Sequence, residues 1–343
     1  MLEIDASYGE GGGQLLRMAV ALAAITATPV QLHHIRAGRA RPGLAPQHLA
    51  AVRAVAQVCG AQLAPLEPGA QELRFEPGAL RAGSYEFDIG TAGSITLLLQ
   101  ALLPVLLCAP GPSDVVLRGG TDVRAAPPLD YFTHVLLRLL QPMGVQVQLH
   151  ELRRGYFPRG GGEVRLQVTP GPLQALRLDS AGALAAVSGV AHVANLPAHI
   201  AERMRGAAQQ RLAARGTPPH IETRVLGPAQ AIGMGGALVL WAQTAHSTLG
   251  AARVAERGLR AEDIGTSVAT ELLAELDRGA TVDVHAADQL LIYTALAEGA
   301  SRYRTRELSR HAQTAIWLIE HFLPRRFGTE VQGSAVAITV GPA

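Results

Sequence analysis

Apolar positions along the chain follow two rhythms. Long apolar stretches with helical spacing alternate with short β-rich ones, and a glycine closes many of the helices. The pattern predicts a recurring unit: a glycine-led apolar helix, a break, a β-rich stretch, a second helix, a glycine and another strand. One copy runs through 13–26, 29–35, 44–59, Gly60 and 61–66. A second runs through 93–107, 114–118, 129–142, Gly144 and 145–150. A third runs through 288–296, Gly299, 301–306, 311–322, Gly328 and 329–331. A fourth, of different flavour, runs through 236–243, 249–256, 264–276, Gly279 and 281–284.

Recurrence at roughly 80 to 100 residues predicts an α/β (α+β) protein built from packed copies of one fold. The fourth copy lies between the second and third, lacks their polar signatures and follows Pro170, Gly171 and Pro172. It reads as an inserted domain over 176–278. Residues 1–175 and 279–343 are then one large domain.

Composition narrows the chemistry. The chain is 48% hydrophobic and 17% charged, which predicts a packed core and excludes a disordered chain. The net charge is +2, so a nucleic-acid site has to be a local patch. All 30 basic residues are arginine; there is no lysine. That excludes a P-loop lysine, Schiff-base chemistry and a lysine nucleophile, and leaves phosphate binding to arginine, backbone N–H groups and metal. Cys59 and Cys108, expected as buried thiols, are too few for a disulfide framework or a cysteine zinc site. The N-terminus lacks a basic region followed by an apolar one. The longest apolar run, 95–109, contains Gln100 and Pro104 and is too short to span a bilayer. The expectation is a cytoplasmic protein with no membrane partner.

Polar residues cluster where the helices begin. Gly9, Glu10, Gly11, Gly12, Gly13 and Gln14, with Arg17 one turn on, form a loop able to present N–H groups to an anion. Glu10 could hold a divalent metal beside the phosphates, or simply favour the helix dipole. Arg36, Arg39 and Arg41, bracketed by Gly38 and Gly43 and followed by Gln47, suit phosphate or remain a solvated loop. Gln100 is an amide inside an apolar helix and needs partners. Pro127, Pro128, Asp130 and Tyr131 could form a flat slot for a base, or a plain loop before a helix. The segment Tyr156, Phe157, Pro158, Arg159 and Gly160–Gly162 is similar and keeps an open role. His285, Ala286, Ala287, Asp288 and Gln289 open a helix after a strand, with Asp288 either its N-cap or a nucleotide contact. His311 opens the last helix; a lone histidine is usually structural, and only its place at a positive helix end, which favours a neutral and nucleophilic ring, sets it apart.

In this order the segments resemble the RNA 3′-terminal phosphate cyclases. The resemblance is carried by Gly9–Arg17, by Ile35 through Leu44, by Gly93–Ser94, Gly119–Asp122 and Ala126–Pro128, and by Ala287–Gln289 and His311. It covers nearly the whole chain and is weakest over 176–278. It implies a large domain of three repeated units, each like the C-terminal domain of a bacterial translation initiation factor, with a smaller related domain inserted before the third.

The resemblance also implies the chemistry. ATP and a divalent metal, Mg²⁺ or Mn²⁺, adenylate a histidine. The AMP passes to an RNA 3′-terminal phosphate, and the neighbouring 2′-OH closes a 2′,3′-cyclic phosphate. His311 matches the nucleophile and Glu10 the metal-associated carboxylate. Gln100, Asp288 and Gln289 match nucleotide contacts. Pro127, Tyr131 and the turn His285, Ala286, Ala287 lie near the adenine, and Arg17, Arg36, Arg39 and Gln47 face phosphates. A homodimer is left open.

One departure stands out: His285 occupies a place where many relatives have an aromatic residue, so adenine binding is expected to be weaker or pH-sensitive. The alternatives are a non-catalytic relative in ribosomal RNA maturation, which lacks the histidine, and an enolpyruvyl transferase, which needs lysines this chain lacks.

Overall fold

The computed structural model describes residues 1–213 and 218–342. In the first unit β1 (Leu2–Asp5) leads through the glycine loop into α1 (Gly13–Thr26). β2 (Val30–His33), α2 (Pro46–Cys59), β3 (Gln62–Leu63) and β4 (Leu73–Glu76) follow. Residues 15 to 24 of α1 are all buried, so this helix is sequestered on every side and sits centrally. Truncating a core residue such as Leu22 to alanine would cost about 2–5 kcal/mol.

The second unit comprises β5 (Gly83–Asp88), α3 (Ile95–Leu107), β6 (Ser113–Gly119), α4 (Leu129–Tyr131), α5 (Leu137–Leu140), β7 (Gln146–Gly155) and β8 (Gly162–Thr169). A π-helical turn, Phe132–Leu136, joins α4 to α5, so the single helix expected over 129–142 is a continuous but irregular helical path. The two sheets share one plan. β1 runs parallel to β2, β2 antiparallel to β4, and β4 antiparallel to β3. Likewise β5 is parallel to β6, β6 antiparallel to β8, and β8 antiparallel to β7. The repetition read from the sequence is therefore a repetition of topology.

Between the second and third units lie β9 (Leu184–Ala194), α6 (Ala198–Leu212), β10 (His220–Leu226), β11 (Ala231–Ile232), β12 (Gly235–Thr244), β13 (Thr248–Val254) and α7 (Ala261–Asp277). The sheet order is β10-β9-β12-β13, while β11 extends the second unit's sheet beside β7. Residues 214–217 of the expected insert lie outside the described residues.

The segment 236–243, expected as a helix, is the strand β12. Leu238, Leu240 and Ala242 join the core formed with α6 and α7, whereas Val239 and Trp241 join the core of the larger body. Burial on both faces gives a continuous apolar run and erases the alternation that would mark a strand.

The third unit has α8 (Val284–Leu296), β14 (Ser301–Thr305), α9 (Arg310–Phe322), β15 (Arg325–Gln332) and β16 (Ala335–Pro342), in sheet order β14-β16-β15. Residues 173–178 run beside β14, with Leu178 N–H donating to Arg302 O and Arg302 N–H to Leu176 O. The strand expected over 281–284 does not form. Thr281 and Val282 both donate to Arg304 O, and Asp283 caps α8 by accepting from the N–H groups of His285 and Ala286. Asp288 therefore lies inside the helix and is not its N-cap.

α1 packs on α2, α3 and α9, and α3 touches α8. Cys59 is buried, but Cys108, at the end of α3, is only half-buried; both are free thiols. Among the described residues no helix is long and apolar enough to cross a membrane.

Candidate active site

The first turns of α1, α2, α3, α8 and α9 surround one cleft of about 420 Å³. Converging helix N-termini direct N–H groups and positive dipole ends at the same space, which suits an anion. Each of these helices brings polar side chains that the sequence singles out: Gln14 and Arg17, Gln47, Gln100, His285 with Asp288 and Gln289, and His311. The loops add Glu10, Arg36, Arg39 and Pro127. A larger groove of about 630 Å³ follows the edge of the second sheet. Its one charged side chain, Asp114, is already paired with Arg165.

Glu10 reaches His311 because the glycine loop lies along α9. His311, Thr314 and Trp317 are three residues apart and share a helical face. Tyr8 stacks on Trp317 with ring centroids 4.0 Å apart. The Glu10 N–H donates to Thr314 Oγ1 at 3.2 Å. A side chain at Gly9 would meet that same oxygen at 2.3 Å, so the loop can settle only with glycine there. Glu10 Oε2 then lies 2.9 Å from His311 Nδ1, and Arg39 contacts the other oxygen. His311 is about half exposed. Burial lowers its pKa below 6.5, helped by Arg17 and Arg39 and opposed by Asp288. A neutral ring that donates Nδ1–H to Glu10 keeps the Nε2 lone pair free.

Arg17 is 7% exposed and, among the described residues, has no carboxylate partner; Nη2 donates to Gln100 Oε1 at 3.1 Å, and Nε has no partner there. Burial pulls its pKa down to about 10. A buried guanidinium without a counter-charge is costly unless an anion completes it. Gln14 Oε1 and Gln289 Oε1 are also buried without partners. Arg36 is half-buried with a left-handed backbone, φ 54°, and donates to Gly43 O at 2.6 Å.

In the third unit, Asp288 accepts a 2.6 Å hydrogen bond from Ser309 Oγ. Burial raises the Asp288 pKa to about 6, with Ser309 and His311 opposing. His285 Nε2 lies 3.3 Å from Glu271 Oε1 on α7. That pairing raises the His285 pKa to about 9, although the ring is 60% exposed and water screens the pair.

Three expected residues lie off the cleft. Tyr131 is 2% exposed and donates to Asp283 Oδ1 at 2.5 Å, so it braces the cap of α8. Ala286 and Ala287 are buried in the core beneath. Conversely, three residues that the sequence did not single out matter. Ser309 caps α9, accepting from Ala312 N–H while donating to Asp288. Thr314 seats Glu10. His48 lines the cleft at 3% exposure and accepts the Ala45 N–H at Nδ1, and burial pushes its pKa down to about 3. Neutral, it keeps Nε2–H beside Gly13. Its place at the third position of a helix whose cap is an alanine was the available signal.

A second polar cluster is fully buried. Asp122, Asp130 and His192 have the mutual spacing of metal ligands. Arg154 fills that role instead: Nη1 contacts both Asp122 oxygens at 3.1 and 3.0 Å, and Nη2 contacts Asp130 at 2.9 Å. His192, and Arg224 at 3.7 Å from Asp130 Oδ1, come from the segment expected as an insert, so the cluster ties that segment to the larger body.

A profile of the family described as RNA 3′-terminal phosphate cyclase matches residues 8–329. A protein of that name from Nitrosospira multiformis is 52% identical over 343 residues, covering 100% of this chain and 97% of its own. One from Pyrobaculum neutrophilum is 43% identical over 341 residues, covering 99% and 98%. One from Methanopyrus kandleri is also 43% identical over 341 residues, covering 97% and 96%.

Proposed function

The chain belongs to the RNA 3′-terminal phosphate cyclase family, and from that premise we propose that it is an ATP-dependent enzyme acting on RNA 3′-phosphate ends through a covalent His311–AMP. The observation that carries this reading is the 2.9 Å contact between Glu10 Oε2 and His311 Nδ1. It engages Nδ1 and so supports Nε2 as the attacking atom, in a cleft rich in arginine and helix N-termini.

In the first step Nε2 bonds to the α-phosphorus of ATP and the bond to pyrophosphate breaks. Glu10 holds Nδ1–H and stabilises the positive ring as the charge develops. Arg17, Arg36 and Arg39 face the phosphates; Arg17 gains the anion it otherwise lacks. Gln100 orients Arg17. Asp288, Gln289, Pro127 and His285 form the nucleoside end. In the second step an oxygen of the RNA 3′-phosphate displaces the histidine and takes the AMP. In the third, the adjacent 2′-OH attacks that phosphate, AMP leaves with the electron pair, and the cyclic ester closes. Adenylation supplies the leaving group that a phosphate dianion lacks.

A divalent metal suits Glu10. Mg²⁺ is commonly held by one or two carboxylates together with substrate phosphates, and Glu10 is a partly exposed carboxylate at the edge of the anion cleft. When bound there, the metal would neutralise phosphate charge. The domain division, 1–175 with 279–343 against 176–278, belongs to the same proposal and is supported by two separate apolar clusters.

The test is covalent labelling. ATP labelled at the α-phosphate is incubated with Mg²⁺ and wild type or His311→Ala, then denatured. Acid-labile, alkali-stable label in wild type alone is the expected result. Label persisting in the variant overturns the assignment of the nucleophile. None in AMP-free wild type favours a non-catalytic RNA-binding protein.

A further inference from the structure

The turn Tyr156–Gly162 takes no part in the chemistry above, yet it is firmly built. Tyr156 is 2% exposed, its N–H donates to Ile232 O at 3.0 Å, and Gly160 N–H donates back to Tyr156 O at 2.9 Å. On this anchored turn the next residue, Phe157, is 78% exposed. Met234, on the adjoining turn beyond β11, is 67% exposed. Arg159 is exposed and, among the described residues, has no ion pair or side-chain hydrogen bond. A large aromatic ring held in water on a fixed turn, with a free guanidinium beside it, is a costly surface unless something covers it.

Two short paths join this turn to the cleft. Thr121 N–H donates to Gly155 O at 2.9 Å, and Thr121 opens the loop that contains Arg124 and carries Ala125 and Pro127 to the cleft margin. On another side Gly160 packs so closely on Thr91 that an added Cβ would lie 2.7 Å from its carbonyl oxygen. Two residues on, a Cβ at Gly93 would meet Gln47 at 2.9 Å, and Gln47 lines the cleft. Arg124 is 81% exposed and only loosely paired, 3.4 Å from Glu256. An exposed aromatic ring and exposed arginines, on turns joined by these contacts to an anion cleft, match a single nucleic-acid strand in charge and in stacking chemistry.

We propose that Phe157, with Arg159 and Arg124, forms a stacking platform for bases upstream of the RNA 3′-phosphate. The proposal rests on the function given above and adds the path of the strand. Stacking on an aromatic face is tolerant of base identity, so the platform grips length without reading sequence.

The experiment compares wild type, Phe157→Ala and Phe157→Trp on a 3′-phosphorylated dinucleotide, on a longer oligonucleotide, and on that oligonucleotide made abasic upstream. Self-adenylation is measured in parallel. The expected result for Phe157→Ala is unchanged adenylation, an unchanged dinucleotide reaction, and a KM for the longer RNA raised about tenfold with kcat near wild type. Phe157→Trp restores the KM, and the abasic RNA loses the difference between variants. An unchanged KM for the longer RNA overturns the platform while leaving the function standing. So does a change in sedimentation of Phe157→Ala, which would make this face a contact between copies. Absence of adenylation in wild type would instead sink the underlying function.

Discussion

Glu10 Oε2 lies 2.9 Å from His311 Nδ1, joining the first loop of the chain to the start of its last helix. In the proposed mechanism the pair decides which ring nitrogen attacks. Glu10→Gln keeps a hydrogen-bond acceptor but loses the negative charge opposite the developing imidazolium. Its expected effect is a fall in the self-adenylation rate on the order of 10²-fold, with the folded state retained by circular dichroism. A wild-type single-turnover rate would remove Glu10 from the first step.

In the proposed mechanism His311 attacks as the neutral ring, and its pKa lies below 6.5 because of burial and the neighbouring arginines. The adenylation rate should therefore rise through the acidic range and reach a plateau by neutral pH. Asp288, raised to about 6, titrates in the same window, so the acid limb belongs to both groups. Asp288→Asn removes the charge that holds His311 up, and the limb should move to lower pH. A limb that moves upward would show that Asp288 is not the opposing charge.

In the proposed site Arg17 trades stability for anion binding. Its guanidinium is buried, bonded to Gln100 and, among the described residues, without a carboxylate partner. Arg17→Met should stabilise the nucleotide-free protein, by about 1 kcal/mol or more in urea denaturation. The same change should weaken ATP binding by about 1.5–3 kcal/mol, the value of a charged hydrogen bond. A variant that loses stability and still binds ATP normally would contradict this.

The buried cluster sets a pH window for folding. Burial works to raise Asp122, but Arg154 and His192 overcome it and bring its pKa down to about 2; Asp130 is lowered as well. His192, between the two carboxylates, is raised above 6.5 despite its own burial. The carboxylates' contribution is present above their unfolded pKa near 4 and is lost as pH falls toward 2. That of His192 is complete below about 6.5 and is lost as pH rises through its higher folded pKa. Wild type should lose stability relative to His192→Gln above that pH, with a slope of at most about 1.4 kcal/mol per unit. Arg154→Met should cost about 3–5 kcal/mol by stranding two buried charges. Parallel stability curves for wild type and His192→Gln between pH 6 and 9 would refute the His192 assignment.

Much of this protein is written in its local pattern. The helices α1, α2, α3 and α9 fall close to where periodicity and closing glycines put them, because one-sided or central burial of a helix leaves a sequence signature. The absence of lysine limited the chemistry before any contact was known. The residues around the cleft were mostly visible too, as a glycine run, clustered arginines and isolated amides near helix starts.

What folding alone decided is which of these residues touch. β12 was hidden because both of its faces are buried. Asp283 rather than Asp288 caps α8, since either aspartate satisfies the local rule and only the packing of Tyr131 and Gly250 on Asp283 selects one. Arg154 meets Glu151 on its own strand, but its buried partners Asp122 and Asp130, like those of His192, come from elsewhere in the chain. The approach of Glu10 to His311 depends on a glycine loop lying along α9, a contact between the two ends of the chain. Sequence spacing encodes which face of an element is apolar. It does not encode which distant faces will be pressed together, and a reactive pair exists only after that choice is made.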